Sequence, residues 1–155
     1  MLFRSVLIYS TKPLDADTQV TGPVTFEAWV KSSAVDTDFT AMLVDVAPDG
    51  FAKNLADGIL RMRYRDSDEK PDLIDPDQIY KITVDLWATA NTFQKGHTIR
   101  LQVSSSNFPR FDRNHNTGAD QATSTNFVSA TNTILHDADH PSALVLPVIP
   151  TASAH

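Results

Sequence analysis

The sequence of 155 residues contains no cysteine and carries no excess of basic residues. Without cysteine the chain can form neither a disulfide framework nor a thiolate metal site. This fits a reducing compartment, and with no signal-peptide pattern at the N-terminus we expect a cytoplasmic location. The formal net charge of -6 argues against nucleic acid as a partner, since phosphate binding needs a basic face. No apolar run approaches the roughly 20 residues of a membrane-spanning helix, so no membrane partner is expected.

Alternation of apolar and polar residues with a period of two is the main pattern in the chain. It predicts strands at 24–31, 40–46, 59–65, 79–87 and 99–104, and shorter ones at 7–9, 127–130, 133–136 and 143–148. Pro48-Asp49-Gly50 is a tight turn by composition, and the segments on its two sides are predicted to form a hairpin. Asp36-Thr37-Asp38 is predicted to be another turn, and residues 88–92 one short helical turn.

These short strands with turns between them predict an all-β protein, either a sandwich or a barrel, because no helical period is sustained. A length of 155 residues corresponds to one domain. We expect this domain to cover residues 5–150. Residues 1–4 are then a domain junction or the cut end of a longer chain, and residues 151–155 a disordered tail.

The stretch from Leu101 to Gly118 begins as a strand and then loses its alternation. It contains Ser104, Ser105 and Ser106, with Asp112 and His115 close behind. A serine hydrolase needs a positioned serine, a base and an orienting acid, but the sequence contains no G-x-S-x-G elbow. We therefore assign no catalytic residue, and we expect the serines to satisfy backbone groups of a loop.

Two segments have residue types that can bind metal. His136, Asp137, Asp139 and His140 lie within five residues, but a strand would split them between two faces, so a turn is the favoured interpretation. The segment 112–118 has oxygen ligands at alternate positions, as in a calcium loop, but its glycine comes one place late. A hydrogen-bonded loop is favoured there, and neither a metal nor any other cofactor is predicted.

Three arginines, Arg61, Arg63 and Arg65, share one face of the predicted strand at 59–65. They could form an anion site or a docking surface. The favoured interpretation is an exposed face whose arginines pair with acids nearby in sequence, namely Asp57, Asp66, Asp68 and Glu69. Trp29 and Trp87 are candidates for stacking on a sugar ring, although tryptophan is more often part of a core or an interface.

The stretch from Ser104 to Asn114, together with Asn116-Thr117-Gly118, resembles a signature of the C-terminal domain of X-Pro dipeptidyl-peptidases and cocaine-esterase-like serine hydrolases. That group includes α-amino acid ester hydrolases and glutaryl acylases. The resemblance extends from Ser5 to about Pro150. Further similar segments are Ser5 to Leu14, Val20 to Val24, Asp36 to Ala41, Leu43 to Val46, Pro48-Asp49-Gly50, Asp57 to Arg61, Val84 to Trp87, Gly96-His97, Ile99 to Leu101 and His140-Pro141-Ser142.

The resemblance implies a jelly-roll β-sandwich of the galactose-binding-like type, packed against an α/β-hydrolase domain that is normally in the same chain. In the family that partner domain carries the serine, aspartate and histidine, and none of them can be assigned to this sequence. We therefore expect this chain to be non-catalytic and the parent protein to hydrolyse peptide, amide or ester bonds. The alternative is a free-standing ligand-binding module, with carbohydrate as the favoured ligand.

The resemblance also gives the loop after Leu101 an expected role, which is to dock on the catalytic domain. The expected docking residues are Asn107, Phe108, Arg110, Phe111, Asp112 and Arg113. The two phenylalanines can supply apolar burial, and the two arginines can reach carboxylates or carbonyls of the partner. Asp112 is expected to pair with an arginine and hold the loop. Without its partner, the domain is expected to expose an apolar patch and to self-associate.

Overall fold

The chain is described over residues 6–150 of a computed structural model, and this part is almost entirely β-structure. The expected junction at 1–4 and the expected tail at 151–155 lie outside the described residues. The strands are β1 Leu7–Ser10, β2 Thr18–Ser32, β3 Asp38–Val46, β4 Ala52–Arg61, β5 Tyr80–Phe93, β6 Thr98–Ser104, β7 Asn132–Leu135, β8 Ala143–Val145 and β9 Val148–Ile149. Over 6–150 no helix has the length and apolar character needed to cross a membrane.

Two antiparallel sheets form the domain. The first sheet has the order β1-β6-β3-β4. In the second, β5 pairs with one edge of β2, while β7, β8 and β9 each pair with a different stretch of β2. The predicted hairpin is confirmed, since β3 and β4 pair from Val46 and Ala52 at the turn back to Asp38 and Arg61. The fold is thus the expected all-β sandwich.

The core lies between the sheets because the alternating strands point one set of side chains inward. On β2 the inward side chains Val24, Phe26 and Val30 are almost fully buried, as the alternation predicts. Burying each such side chain contributes about 1.5–3 kcal/mol. The facing sheet supplies Phe39, Leu43, Ile99, Leu101 and Val103 to the same cluster. This shared core positions the loops at the ends of the strands.

The sandwich is tightly closed along the side where β4 meets β5. A Cβ atom at Gly58 would lie 1.9 Å from the carbonyl oxygen of Asp85, which no side chain can tolerate. The glycine therefore lets the backbones of two strands from different sheets touch.

The predicted strand at 59–65 is wrong beyond Arg61, where β4 ends. Met62–Tyr64 form one turn of 3₁₀ helix, and the side chain of Met62 is fully buried. The amide of Met62 donates to the carbonyl of Thr37, and the amide of Arg63 donates to the carboxylate of Asp36. These contacts bend the chain out of the sheet, so the three arginines do not share one strand face.

Four other predictions of secondary structure need correction. The helical turn at 88–92 is wrong, because β5 stays paired with the long strand β2 as far as Phe93, which is fully buried. The strand at 127–130 is wrong, because that segment is irregular. The turn at Asp36-Thr37-Asp38 is wrong at its last residue, where β3 begins, and all three side chains are buried. The predicted strand at 143–148 is two strands, separated at Pro147.

Candidate functional site

The candidate site is the irregular segment 105–131, which joins β6 to β7 and contains the predicted docking residues. An irregular segment of this length needs side-chain partners to be held in one conformation. Those partners are acids on β3 and β4 and in the bend before β3.

Two buried carboxylates anchor the segment. Asp36 and Asp38 are 0% and 1% exposed. Arg61 makes a two-pronged contact with Asp38, at 2.9 and 3.0 Å, while Arg63 Nε donates to Asp36 at 2.8 Å. Asn114 from the loop donates to Asp36 Oδ2 at 2.9 Å and to Asp38 Oδ1 at 2.7 Å. Each buried charge thus has a cationic partner and an amide donor, which buried carboxylates require.

Arg61 also connects this buried centre to the loop surface. Its Nη2 lies 3.0 Å from Oδ1 of Asp112, which is otherwise exposed. Hydrogen bonding to Asp38 raises the pKa of Arg61 above its usual value against the opposing effect of burial, and Asp112 adds to the rise. The guanidinium is therefore permanently charged. The expected pairing of Asp112 with an arginine is confirmed, and the partner is Arg61.

A second anchor is Asp57 on β4. Asn107 Nδ2 donates to Asp57 Oδ2 at 3.0 Å, and Arg110 Nε lies 2.8 Å from the same oxygen. The Arg110 guanidinium also lies over the ring of Phe111, 5.5 Å from its centroid. Asn107, Arg110 and Asp112 thus hold the loop on the sandwich, so their side chains are engaged before any partner arrives.

Phe108 is one of three large apolar side chains that the loop 105–131 presents to solvent, with 60% of its surface exposed, the others being Phe127 and Val128. The guanidinium of Arg113 lies over its ring at 4.9 Å from the centroid. The Phe108-Pro109 peptide bond is cis. Phe108 and Arg113 therefore form an exposed pair, which we call the loop tip.

The three arginines at 61, 63 and 65 pair mainly with acids other than the four expected partners. Arg65 contacts Asp66, one of the expected partners, and Asp72, which was not expected. The pairing of Arg61 with Asp38 was the missed contact. If residues of the predicted hairpin are paired one by one from its turn, Asp38 falls within one residue of Arg61. This register was the sequence signal that could have indicated their contact. Asn114 carried no signal beyond its place in the family-like stretch.

The serines near Asp112 and His115 do not assemble a triad. His115 Nδ1 has no hydrogen-bond partner among residues 6–150, and its ring packs against Phe127 with centroids 4.0 Å apart. Asp112 forms an ion pair with Arg61. Ser104 Oγ accepts a hydrogen bond from the amide of Ser106, which is the expected loop role. Ser104, Ser105 and Ser106 therefore form no triad with His115 and Asp112.

The segment from His136 to His140 forms a bend, in agreement with the favoured interpretation as a turn. His140 Nδ1 lies 3.0 Å from Asp137 Oδ1 and its ring meets the edge of Trp29, whereas His136 faces Tyr9. Although desolvation opposes it, hydrogen bonding from the side chain and backbone of His140 lowers the pKa of Asp137. Within residues 6–150 no three His, Cys, Asp or Glu side chains lie together as a metal site would require.

The two tryptophans predicted to stack on a ligand lie apart on the second sheet. Trp29 pairs in register with Lys81, and Trp87 lies six positions further along β5, roughly 20 Å away at the rise of a strand. Trp87 is 72% exposed and sits in a bulge with φ +64°. The two rings therefore do not form a shared platform for one sugar.

Comparison with known proteins gives these features a context. The family described as "X-Pro dipeptidyl-peptidase C-terminal non-catalytic domain" matches residues 4–145. A cocaine esterase from Rhodococcus sp. (strain MB1 Bresler) is 52% identical over 146 residues, which are 93% of this chain and 25% of the esterase. The chain thus spans about a quarter of the length of this relative.

Solved structures show the same relationship. An aminopeptidase from the marine sediment archaeon Thaumarchaeota archaeon superposes with a TM-score of 0.86 at 29% identity, over 96% of this chain and 26% of the aminopeptidase. An α-amino acid ester hydrolase superposes with a TM-score of 0.85 at 30% identity, over 93% of this chain and 25% of the hydrolase. With the sandwich fold and the family match over nearly its whole length, this chain belongs to the X-Pro dipeptidyl-peptidase C-terminal non-catalytic domain family.

Proposed function

We propose that this chain is the C-terminal β-sandwich of a serine hydrolase and that it braces the α/β-hydrolase domain of the parent protein. The observation that carries the proposal is the 52% identity to a cocaine esterase, of which the chain spans 25%. The other three-quarters of a parent of that length are long enough to contain a catalytic domain. In this chain Asp112 pairs with Arg61 and the ring of His115 packs on Phe127, which supports a non-catalytic role for the chain itself.

Within this proposal the parent is an esterase. The relative named as a cocaine esterase is 52% identical and the α-amino acid ester hydrolase 30% identical, and both names denote ester cleavage, whereas the aminopeptidase is 29% identical. Ester cleavage is therefore favoured over release of dipeptides or amino acids.

The bracing role uses the loop tip, defined by Phe108 and Arg113. An exposed aromatic ring with an arginine stacked on it is typical of residues that carry most of the energy of an interface. Behind it, Asn107, Arg110 and Asp112 fix the backbone through Asp57 and Arg61. A loop that is ordered before docking loses less entropy when it binds, so the contact is stronger than that of a mobile loop.

An activity assay tests the proposed function. The 155-residue chain and its full-length parent are each incubated with p-nitrophenyl butyrate and with an X-Pro-p-nitroanilide. The parent is expected to hydrolyse the ester faster than the anilide, and the chain is expected to hydrolyse neither. Turnover by the chain that disappears when Ser104, Ser105 and Ser106 are all changed to Ala would contradict the non-catalytic role. A parent that cleaves only the anilide would contradict the esterase assignment.

A further inference from the structure

The two sheets of the described domain are unequal in width. The first has four strands side by side, from β1 to β4. In the second, β7, β8 and β9 pair with successive stretches of one edge of β2, so together they fill a single strand position. The second sheet is therefore three positions wide, and over residues 6–150 no strand lies opposite β1, which is approached only by the ring of His136, 6.1 Å from that of Tyr9.

One side of the sandwich is closed and the other is open. Gly58 and Asp85 touch on the closed side, between β4 and β5. On the open side, between β1 and the β7–β9 position, a mainly apolar cleft of about 460 Å³ reaches the core. The residues that line it include Tyr9, Phe26, Leu101, Ile134, Leu144 and Leu146. A cleft of this size between core residues leaves apolar surface in water that a complete sandwich would bury.

The outer edge of β1 is a free hydrogen-bonding edge with apolar side chains. Leu7, Ile8 and Tyr9 are 42%, 56% and 37% exposed. On its inner edge β1 pairs with β6, and none of residues 6–150 pairs with its outer edge. Natural proteins cover or charge such edges because exposed apolar edges pair with other chains. The β7–β9 position is protected differently, since it is broken into short pieces and contains Pro147.

We infer that a β-strand from the part of the parent polypeptide that precedes this domain pairs with the free edge of β1 and fills the cleft with alternate apolar side chains. This occupant is favoured because the family match is to a C-terminal domain and the chain amounts to a quarter of its relatives. The inference rests on the proposed function only in requiring that longer parent. The domain is then complete only with a strand that is not among residues 6–150.

The pattern of β1 also defines the kind of strand that fits. In register with β6, Tyr9 pairs with the buried Leu101, while Ile8 pairs with Gln102 on the opposite face. A strand added beside β1 continues this alternation, so every second side chain enters the cleft. The inserted strand is therefore expected to have apolar residues at alternate positions and no proline in its paired stretch.

Hydrogen–deuterium exchange tests the inference on three proteins: the 155-residue chain, the chain extended by all parent residues that follow the hydrolase domain, and the full parent. Amides of Ile8 and Ser10, which point away from β6, are expected to exchange at least about tenfold more slowly in the extended chain than in the 155-residue chain. Fluorescence of 1-anilinonaphthalene-8-sulfonate, which binds exposed apolar clefts, is expected to fall in parallel. Equal exchange and equal dye binding in all three proteins would overturn the inference.

Two further outcomes separate this inference from the proposed function. Protection that appears only when the hydrolase domain is present would overturn strand addition while supporting docking of that domain on the open side. Protection of the 155-residue chain that depends on its concentration, together with a dimeric mass, would assign the edge to a second copy and also overturn it. Protection in the extended chain supports the inference whether or not the parent is an esterase.

A pair of variants provides a second readout. Tyr9→Asp places a charge in the cleft, so it is expected to lower the thermal midpoint of the extended chain much more than that of the 155-residue chain. Phe51→Asp is the matched control, because Phe51 is 69% exposed in the β3–β4 turn and does not line the cleft. It is expected to change both midpoints by similar small amounts. Equal effects of Tyr9→Asp on the two proteins would count against the strand.

Discussion

Asn114 lies 2.7 Å from the carboxylate of Asp38, and these residues are 76 positions apart in the chain. The same amide nitrogen donates to Asp36, so one loop side chain serves two buried carboxylates. Arg61 and Arg63 supply the opposite charges. The loop 105–131 is thus a structural part of the sandwich, because the buried acids need its asparagine as a donor.

Removing this donor is expected to destabilise the domain. Asn114→Ala leaves Asp36 and Asp38 each short of one hydrogen bond, which is expected to lower the free energy of unfolding by about 2 kcal/mol. Urea denaturation of the 155-residue chain measures it. Asn126→Ala is the matched control, because Asn126 is exposed in the same loop, and it is expected to stay within about 0.5 kcal/mol of the unchanged chain. Equal losses for the two variants would show that the buried acids do not depend on Asn114.

The contact between Gly58 and Asp85 predicts a larger effect. Gly58→Ala brings a Cβ atom to 1.9 Å from a carbonyl oxygen of the facing sheet, so the sheets must separate. We expect a loss of at least about 3 kcal/mol in the free energy of unfolding. Gly50→Ala is the comparison, since a Cβ there meets nothing within 4 Å and only its φ of +89° is unfavourable. That change is expected to cost about 1–2 kcal/mol. A milder effect at Gly58 than at Gly50 would contradict the close approach.

Trp87 gives a prediction of the opposite sign. It adopts φ +64° although it is bulky, and 72% of its surface is exposed. Asparagine tolerates this backbone region better, so Trp87→Asn is expected to stabilise the 155-residue chain by about 0.5–1 kcal/mol. Trp29→Asn serves as the control, because Trp29 is half-buried against His140 and its loss is expected to destabilise the chain. Thermal unfolding of both variants decides the point, and a destabilised Trp87→Asn would show that this ring packs within the domain.

The parts of the fold that the sequence predicts well are those where one strand face is buried. The alternation of β2 and the Pro48-Asp49-Gly50 hairpin follow from side-chain period and turn chemistry, both of which are local. The pattern at 59–65 misled because Arg61, Arg63 and Arg65 alternate like the polar face of a strand. In the structure the chain bends after Arg61, and Arg61 and Arg63 pair with buried aspartates.

The sequence predicted which residue types make up the candidate site, but it did not predict the contacts between them. The loop after Ser104 was identified by its mixture of aromatic, proline and arginine residues. Its anchors could not be read locally, because Arg110 pairs with Asp57 from 53 positions away and Asn114 reaches Asp36 over 78. Aspartates near turn residues suggest solvent exposure, and only the tertiary pairing shows that Asp36 and Asp38 are buried. The predicted role of the loop in docking stays a prediction.

Phe108→Ala tests docking by the loop tip most cleanly. Because Phe108 is 60% exposed, its loss is expected to change the stability of the 155-residue chain by no more than about 0.5 kcal/mol. In the full-length parent the same ring is expected to be buried by the hydrolase domain, and truncation of such an anchor costs about 1–2 kcal/mol or more. The parent's thermal midpoint should therefore fall while that of the chain does not.

Phe51→Ala, which removes a similarly exposed ring from the β3–β4 turn, should lower neither midpoint. Arg110→Ala is expected to lower both, because it also breaks the contact with Asp57. If Phe108→Ala left the thermal midpoint of the parent unchanged, this result would contradict docking of the hydrolase domain on the loop tip.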